Sequence, residues 1–320
     1  MTQATVRERA FIPAYRSLLE SGELARRAAA AWQRLEDCDL CARYCRVDRR
    51  KGIAGAVCRT GERALVASYG PHHGEEDPLR GTAGSGTIFF SWCNLRCVYC
   101  QNWDISQRRA GREVEPREIA DMMLELQRLG CHNINFVTPS HVVAQIIAAV
   151  EDAARRGLAL PLVYNTAGYD SPEALGLLDG IIDIYMPDLK YADSRLAHQY
   201  SKVRDYAEVN RAAVKEMHRQ VGDLVLDARG VAQRGLLVRH LVLPHGIAGT
   251  REVLRFLAEE ISRDTYLNLM DQYHPYHHAS EYDELARALT REEYREALTF
   301  AAEAGLKRLD HRLEYRRGWV

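Results

Sequence analysis

From about residue 87 onward, short apolar runs rich in β-branched and aromatic residues alternate with longer amphipathic stretches. The runs Thr87–Phe90, Asn133–Val137, Leu160–Thr166, Ile181–Asp188, Leu236–Pro244 and Tyr266–Met270 predict strands. Helices are predicted between them. Ile119, Met122, Leu126 and Leu129 follow a helical period, with Pro116 suited to the first turn and Gly130 to the stop. Val142, Val143, Ile146 and Val150 repeat the pattern ahead of Gly157, and Thr290 with Glu293 makes a capping box before Tyr294, Ala297 and Leu298. Upstream, residues 9–36 read as helical, with Tyr15, Leu18, Leu19, Leu24 and Trp32 set among charges, whereas 61–86 are rich in Gly, Pro and charge and read mostly as loop.

This alternation predicts an α/β fold with a parallel sheet and helices outside it. Six units are too few for an eightfold barrel at usual spacing. A partial (β/α)6 TIM-like barrel is therefore expected, with a doubly wound open sheet as the alternative. In either case the reactive groups belong beyond the C-terminal ends of the strands. Residues 1–84 form an N-terminal helix plus a Cys-rich lobe and linker in this reading. Residues 85–320 form the partial barrel with a C-terminal helical extension.

Composition alters this picture at one point. The chain has 320 residues, 47% hydrophobic and 27% charged, with a formal net charge of −1. Such a balance implies no general attraction to nucleic acid, and no apolar run is long enough to span a bilayer. The N-terminus carries charges throughout and lacks the apolar core of a secretory signal, so a cytoplasmic location is expected. The telling residue is cysteine. Of eight, seven fall into two tight groups. In a compartment that keeps thiols reduced, clustered cysteines point to metal or redox chemistry.

The second group, Cys93, Cys97 and Cys100 in GTIFFSWCNLRCVYCQNWDIS, lies just past the first predicted strand with spacing Cys-x3-Cys-x2-Cys. Three thiolates on one short loop suit a cubane cluster whose fourth iron has no protein ligand. A zinc site normally takes four protein ligands, and no further Cys or His adjoins the loop. The open iron can chelate the amino and carboxylate groups of S-adenosylmethionine (SAM).

That triplet, with Tyr99 directly before its last cysteine, resembles the signature loop of the radical SAM superfamily. CNLRCVYCQNWDIS, GCHNINFVTPSHV, PLVYNTAGYDS, DIYMPDLKYAD and LVRHLVLP resemble more closely the branch related to pyruvate formate-lyase activating enzyme, over roughly residues 85–275 and including longer members with an upstream cysteine module. The resemblance implies a barrel of the radical SAM type and a 4Fe-4S cluster on Cys93, Cys97 and Cys100, with Tyr99 against the adenine. It also implies SAM contacts from Asp188 and Lys190, ribose contacts from Asn165 and Thr166, and a SAM-contacting His245. Family members commonly carry Gly-Gly-Glu after the second strand for SAM's ammonium. Here Val137, Thr138, Pro139 and Ser140 stand there; Thr138 and Ser140 offer hydroxyl acceptors but no carboxylate.

The first group, Cys38, Cys41, Cys45 and Cys58, has spacing Cys-x2-Cys-x3-Cys-x12-Cys amid Arg43, Arg46, Arg49, Arg50 and Lys51. It suits either a closed zinc site or a second iron–sulfur cluster. A structural staple is the favoured role, ahead of electron transfer; binding a substrate protein is a third option. In DQYHPYHH, Tyr273, His274, His277 and His278 are candidates to line a substrate pocket. Arg219 and Gln220 are candidates to face substrate from a helix end. Cys131 reads as a small core residue, and the basic stretch Lys307–Arg317 as a solvated face.

The expected activity is reductive cleavage of SAM to a 5′-deoxyadenosyl radical that removes hydrogen from a substrate. By resemblance that substrate is a glycine of a glycyl-radical-type partner protein. Another protein, RNA or a small molecule is the alternative. The expected partners are SAM and a one-electron donor such as flavodoxin or ferredoxin. A reading from a different class is a non-catalytic metal-binding adaptor.

Overall fold

The computed structural model describes residues 11–310. The start of the predicted 9–36 helix and the basic stretch beyond Asp310 lie outside the described residues. Nine strands form the sheet: β1 (Ala64–His72), β2 (Ser85–Phe90), β3 (Arg112–Val114), β4 (Ile134–Val137), β5 (Leu162–Thr166), β6 (Ile184–Pro187), β7 (Val225–Leu226), β8 (Ala232–Leu241) and β9 (Tyr266–Met270). Six of them, β2-β4-β5-β6-β8-β9, are parallel neighbours in chain order and match the six predicted runs. Chain order without reversal is the pattern of a barrel; a doubly wound sheet would reverse at a switch point. The sheet is a partial (β/α)6 barrel. At one edge β2 is continued by antiparallel β1 and β3, and β7 adds antiparallel to β8.

β1 corrects the reading of 61–86 as loop. Gly70 and Pro71 disguise the strand, yet Tyr69, Gly70 and Pro71 pair with Ile88, Thr87 and Gly86. Pro is tolerated because β1 lies outside the parallel core of the sheet, where fewer ladder bonds are demanded.

Local chemistry sets the helices. Pro116–Arg128 starts on a capping box between Glu115 and Glu118, with Pro116 in its first turn. Val143–Arg155 buries Val143, Ile146, Ile147 and Val150 against the sheet. Arg291–Ala304 begins with the expected Thr290–Glu293 capping box. The predicted 9–36 helix is broken at Gly22, whose φ of +76° suits glycine, into Tyr15–Glu20 and Glu23–Gln33.

These N-terminal helices share the barrel's outer core. Tyr15, Leu24, Ala31 and Leu35 are fully buried in one apolar cluster with Ile146, Ile147 and Val150. Two long-range bonds fix the entry of the chain: the Ala14 N–H donates to Asp183 Oδ1 at 2.8 Å, and the Tyr15 hydroxyl to the Leu160 carbonyl at 3.0 Å. Leu24→Ala is expected to lower global stability by about 2–5 kcal/mol. Denaturant melts followed by far-UV circular dichroism and by tryptophan fluorescence should shift together, as one cooperative transition.

Candidate active site

The C-terminal ends of β4, β5, β6, β8 and β9 open on a cavity of about 240 Å³. Cys93, Cys97 and Cys100 line one side of it, and Thr138, Asn165, Thr166, Asp188 and Lys190 line it as well. Residues from six chain segments, the cysteine loop and the five strand ends, therefore meet where the barrel places reactive groups.

The cysteine loop leaves β2 through Trp92, whose φ of +68° is unusual for so bulky a residue. It then runs along the end of helix Ser194–Ser201: the Arg96 and Val98 N–H groups donate to the Ser201 and Tyr200 carbonyls. Each sulfur has a polar neighbour. The Leu95 N–H donates to Cys93 Sγ at 3.3 Å, the Ser201 hydroxyl to Cys97 Sγ at 3.0 Å, and Cys100 Sγ lies 3.1 Å from Ser106 Oγ. Burial pushes the Cys93 thiol up to about 12, and raises Cys97 against the pull of Lys190. Thiols this deep ionise against a bound cation, and hydrogen bonds to sulfur are among the levers that tune iron–sulfur centres. The donor set thus fits a cluster. Among the described residues, no three Cys, His, Asp or Glu side chains are gathered as a ready-made site for a single metal ion.

Opposite the loop, Lys190 Nζ donates to Asp188 Oδ2 at 2.6 Å. Burial alone would lower the Lys190 pKa, but the Asp188 carboxylate, with Cys97 and Tyr206 adding to it, raises it well above the usual lysine value and holds the ammonium form. The backbone here is tightly built. Gly168 has φ +71°, and a Cβ on it would fall 2.1 Å from Asn210 Nδ2 and 2.5 Å from the Asp188 carbonyl oxygen, so only glycine lets the β5 and β6 loops approach. Asn210 Nδ2 bridges the Gly168 and Asp188 carbonyls, and the Tyr206 hydroxyl accepts from the Lys190 N–H. Tyr99 is buried edge-on to Tyr191 and Tyr273, with ring centroids 6.3 and 5.9 Å away. Thr138 holds φ +61°, strained for a β-branched residue, at the lip of the cavity.

Other candidates are placed elsewhere. Ser140 is buried behind the wall, 2.9 Å from Thr166 Oγ1, which in turn donates to Asp170 Oδ2 at 2.6 Å. His245 lies outside the cavity lining, on the surface, where its Nε2 meets Arg287. Tyr273 and His274 do line the cavity, but His277 stacks on Trp103 and His278 bonds Glu281. Arg219 pairs with Glu216 and Asp179 on the surface, and Gln220 is turned into the helix layer against Tyr185, so neither faces the cavity. Cys131 packs in the outer core.

Two features escaped the sequence. His240 of β8 is buried, its Nδ1 donating to the Leu189 carbonyl at 2.6 Å and its Nε2 3.0 Å from Thr250 Oγ1, and so fastens the Asp188–Lys190 turn to the barrel. Arg239, which lines the cavity, reaches Glu76 through Nε at 2.7 Å and also pairs with Glu75; Asn268 bonds the same Glu76. LVRHLVLP signalled a special β8, but the partner carboxylates lay in the segment read as loop.

The four N-terminal cysteines line one small chamber together with Arg49 and His141. Arg49 is 2% exposed. It donates to the carbonyls of Thr60 at 2.7 Å, Gly61 at 3.1 Å and His141 at 2.8 Å, and reaches Cys38 Sγ at 3.6 Å. Burial pushes Cys41 up, and burial beside Arg49 holds His141 down near 3, so its ring is neutral. The module leans directly on the other cysteine loop. Arg43 Nε donates to the Asn94 carbonyl at 2.6 Å, and Arg96 donates to the carbonyls of Cys93, Leu95 and Val57.

Two outcomes are expected from this geometry. Gly168→Ala should disrupt the Asp188–Asn210 contact and weaken binding at the cavity while the fold survives, as read by circular dichroism beside ligand titration. Burial, chiefly, pushes the His240 pKa down to about 4, so the ring is neutral at pH 7, with Asp188 and Lys190 the charged groups facing it. Its folded pKa is below the unfolded value of about 6.5, so the unfolded chain binds the extra proton between the two. The stability advantage of wild type over His240→Gln should therefore be full above pH 6.5 and shrink as pH falls toward 4 in paired denaturant titrations.

The profile of the radical SAM superfamily matches residues 87–227, the span from β2 to β7. MJ0674, an uncharacterized protein of Methanocaldococcus jannaschii, is 30% identical over 281 residues, covering 85% of this chain and 76% of its own. MJ0808 of the same organism is 24% identical over 274 residues, covering 78% and 75%. Among solved structures, SuiB of Streptococcus suis, bound to the precursor peptide SuiA, is similar at 12% identity and TM-score 0.46, over 66% of this chain and 43% of that one. A domain of pyruvate-formate lyase-activating enzyme from Bacteroides vulgatus is similar at 13% identity and TM-score 0.35, over 60% and 88%. With the cysteine loop at the mouth of a six-stranded partial barrel, and a relative of this extent, the chain belongs to the radical SAM superfamily, whose enzymes pair a 4Fe-4S cluster with SAM.

Proposed function

We propose that the cavity holds SAM against a 4Fe-4S cluster carried by Cys93, Cys97 and Cys100. The supporting observation is that the three cysteines and the Asp188–Lys190 pair line one cavity. When bound, the cluster supplies the electron that cleaves SAM to methionine and a 5′-deoxyadenosyl radical. Lys190 offers an ammonium to the SAM carboxylate, oriented by Asp188. Asn165 and Thr166 stand at the end of β5 for the ribose, and Tyr99 presents an aromatic face for the adenine. Thr138 supplies the hydroxyl nearest the position usually held by Gly-Gly-Glu, and Ser140 acts on the site through Thr166. The burial of the cysteine loop keeps water from the reacting atoms.

In this reading the radical removes hydrogen from a substrate presented at the mouth, where Gln101, Asn102 and the exposed ring of Tyr276 stand. An activating-enzyme-like role, with a backbone glycine of a partner protein as hydrogen donor and a flavodoxin or ferredoxin as electron source, follows from the motif likeness of the loop and of the Asp188–Lys190 turn. The N-terminal module is a second metal centre, zinc or iron–sulfur. A reducing cytoplasm suits eight cysteines that are all free. Among the described residues no helix is long and apolar enough to cross a membrane.

Anaerobic reconstitution followed by SAM and dithionite should yield 5′-deoxyadenosine by mass spectrometry. A cluster-replete sample that makes none overturns the proposal. Cys97→Ala should lose both the cluster's visible absorbance and the product. Lys190→Met should keep the cluster but weaken SAM binding about tenfold or more, the effect of one lost charge-assisted hydrogen bond.

A further inference from the structure

The chamber of the N-terminal module has a wall that its cysteines do not explain. His141, just beyond β4, is 1% exposed and lines the chamber with Cys38, Cys41, Cys45 and Cys58. Its Nε2 lies 2.9 Å from the Ser91 carbonyl oxygen. A carbonyl only accepts, so Nε2 bears the hydrogen, and in the neutral ring Nδ1 bears the lone pair. Nδ1 is buried and has no hydrogen-bond partner among the described residues. Buried acceptors are rarely left unmet. An imidazole pinned through one N–H to a backbone carbonyl, with its other nitrogen bare, is the arrangement in which metal-bound histidines are held, and this one stands in a chamber that four thiols also line.

Arg49 makes an independent case that the chamber carries negative charge. Its buried guanidinium finds three carbonyls and the Cys38 sulfur, and no carboxylate among the described residues. A buried cation calls for a buried anion, and a centre whose thiolates outnumber the charge on its metal supplies one. Cys45 differs from its fellows: it is half-buried, whereas Cys38, Cys41 and Cys58 are each 6–7% exposed.

We propose that a metal draws the side chains lining this chamber together, with His141 Nδ1, Cys38, Cys41 and Cys58 as its ligands, and that Cys45 is the thiol His141 replaces. This rests on the reading of the module as a metal centre. The same ring then touches both halves of the machinery, because Ser91 lies two residues before Cys93.

The test uses the full chain with Cys93, Cys97 and Cys100 replaced by alanine, so that only the N-terminal centre remains. Elemental analysis first reports zinc or iron. With zinc, X-ray absorption should show three sulfurs near about 2.3 Å and one nitrogen near about 2.0 Å. With iron, pulsed electron paramagnetic resonance of the reduced centre in ¹⁵N-histidine-labelled protein should show one nitrogen coupling. Neither readout needs a His141 variant to fold. Cys45→Ser should keep the metal stoichiometry, whereas His141→Ala should lose metal to a chelator about tenfold more readily or worse. A loaded centre with four sulfurs and no nitrogen overturns this inference alone. A module that takes up neither zinc nor iron overturns the metal-centre reading beneath it.

Discussion

The backbone of the Cys93–Cys100 loop has no strand or helix ladder of its own, and its peptide groups must be satisfied by whatever surrounds it. Much of the molecule is organised around that need. Arg96 folds back on the Cys93 and Leu95 carbonyls, Arg43 takes that of Asn94, and Gln107 that of Cys97. The N–H of His278 closes on Val98 from the far side of the mouth. Side chains with several donors in fixed geometry are suited to this work, because one guanidinium can hold two or three carbonyls at once. The thiols are thereby presented to the cavity from a loop that is irregular yet rigid, the condition for holding reactive groups in place.

The barrel was legible because its strands are buried on both faces and so read as continuous apolar runs. Leu236, Leu237 and Val238 are all fully buried, and runs of this kind marked the six strands. β1 was not legible. Its first residues lie between β2 and β3, but its far half, with Gly70 and Pro71, is largely exposed, and its pairing with β2 is a tertiary fact without a local signature. The cysteine loop could be read from its spacing, which carries chemistry, and the Asp188–Lys190 turn from the likeness of its motif. Ser140 and His245 show the limit of such reasoning. A residue can occupy the right place in a motif while its side chain turns toward Thr166 or Arg287, and only packing decides the direction.

Charge is distributed with economy through the interior. Lys190 meets Asp188, and Arg239 meets Glu75 and Glu76, so the cavity wall and the barrel interior each carry their own counter-ions. Arg49 stands apart, facing sulfur. His240 spans the Leu189 carbonyl and Thr250 without charge and contributes shape to a wall whose charges are otherwise committed.

The apolar cluster beneath the N-terminal helices has a consequence for how this chain can vary. Tyr15 and Leu24 interlock with Ile146 and Val150, so the cysteine module is no detachable cassette. Insertion or recombination between the module and the first strand would have to preserve two surfaces at once, the apolar seam and the arginine latch on the cysteine loop. Change is better tolerated at the opposite end of the sheet, where β7 is short and its Val225 and Leu226 side chains face solvent.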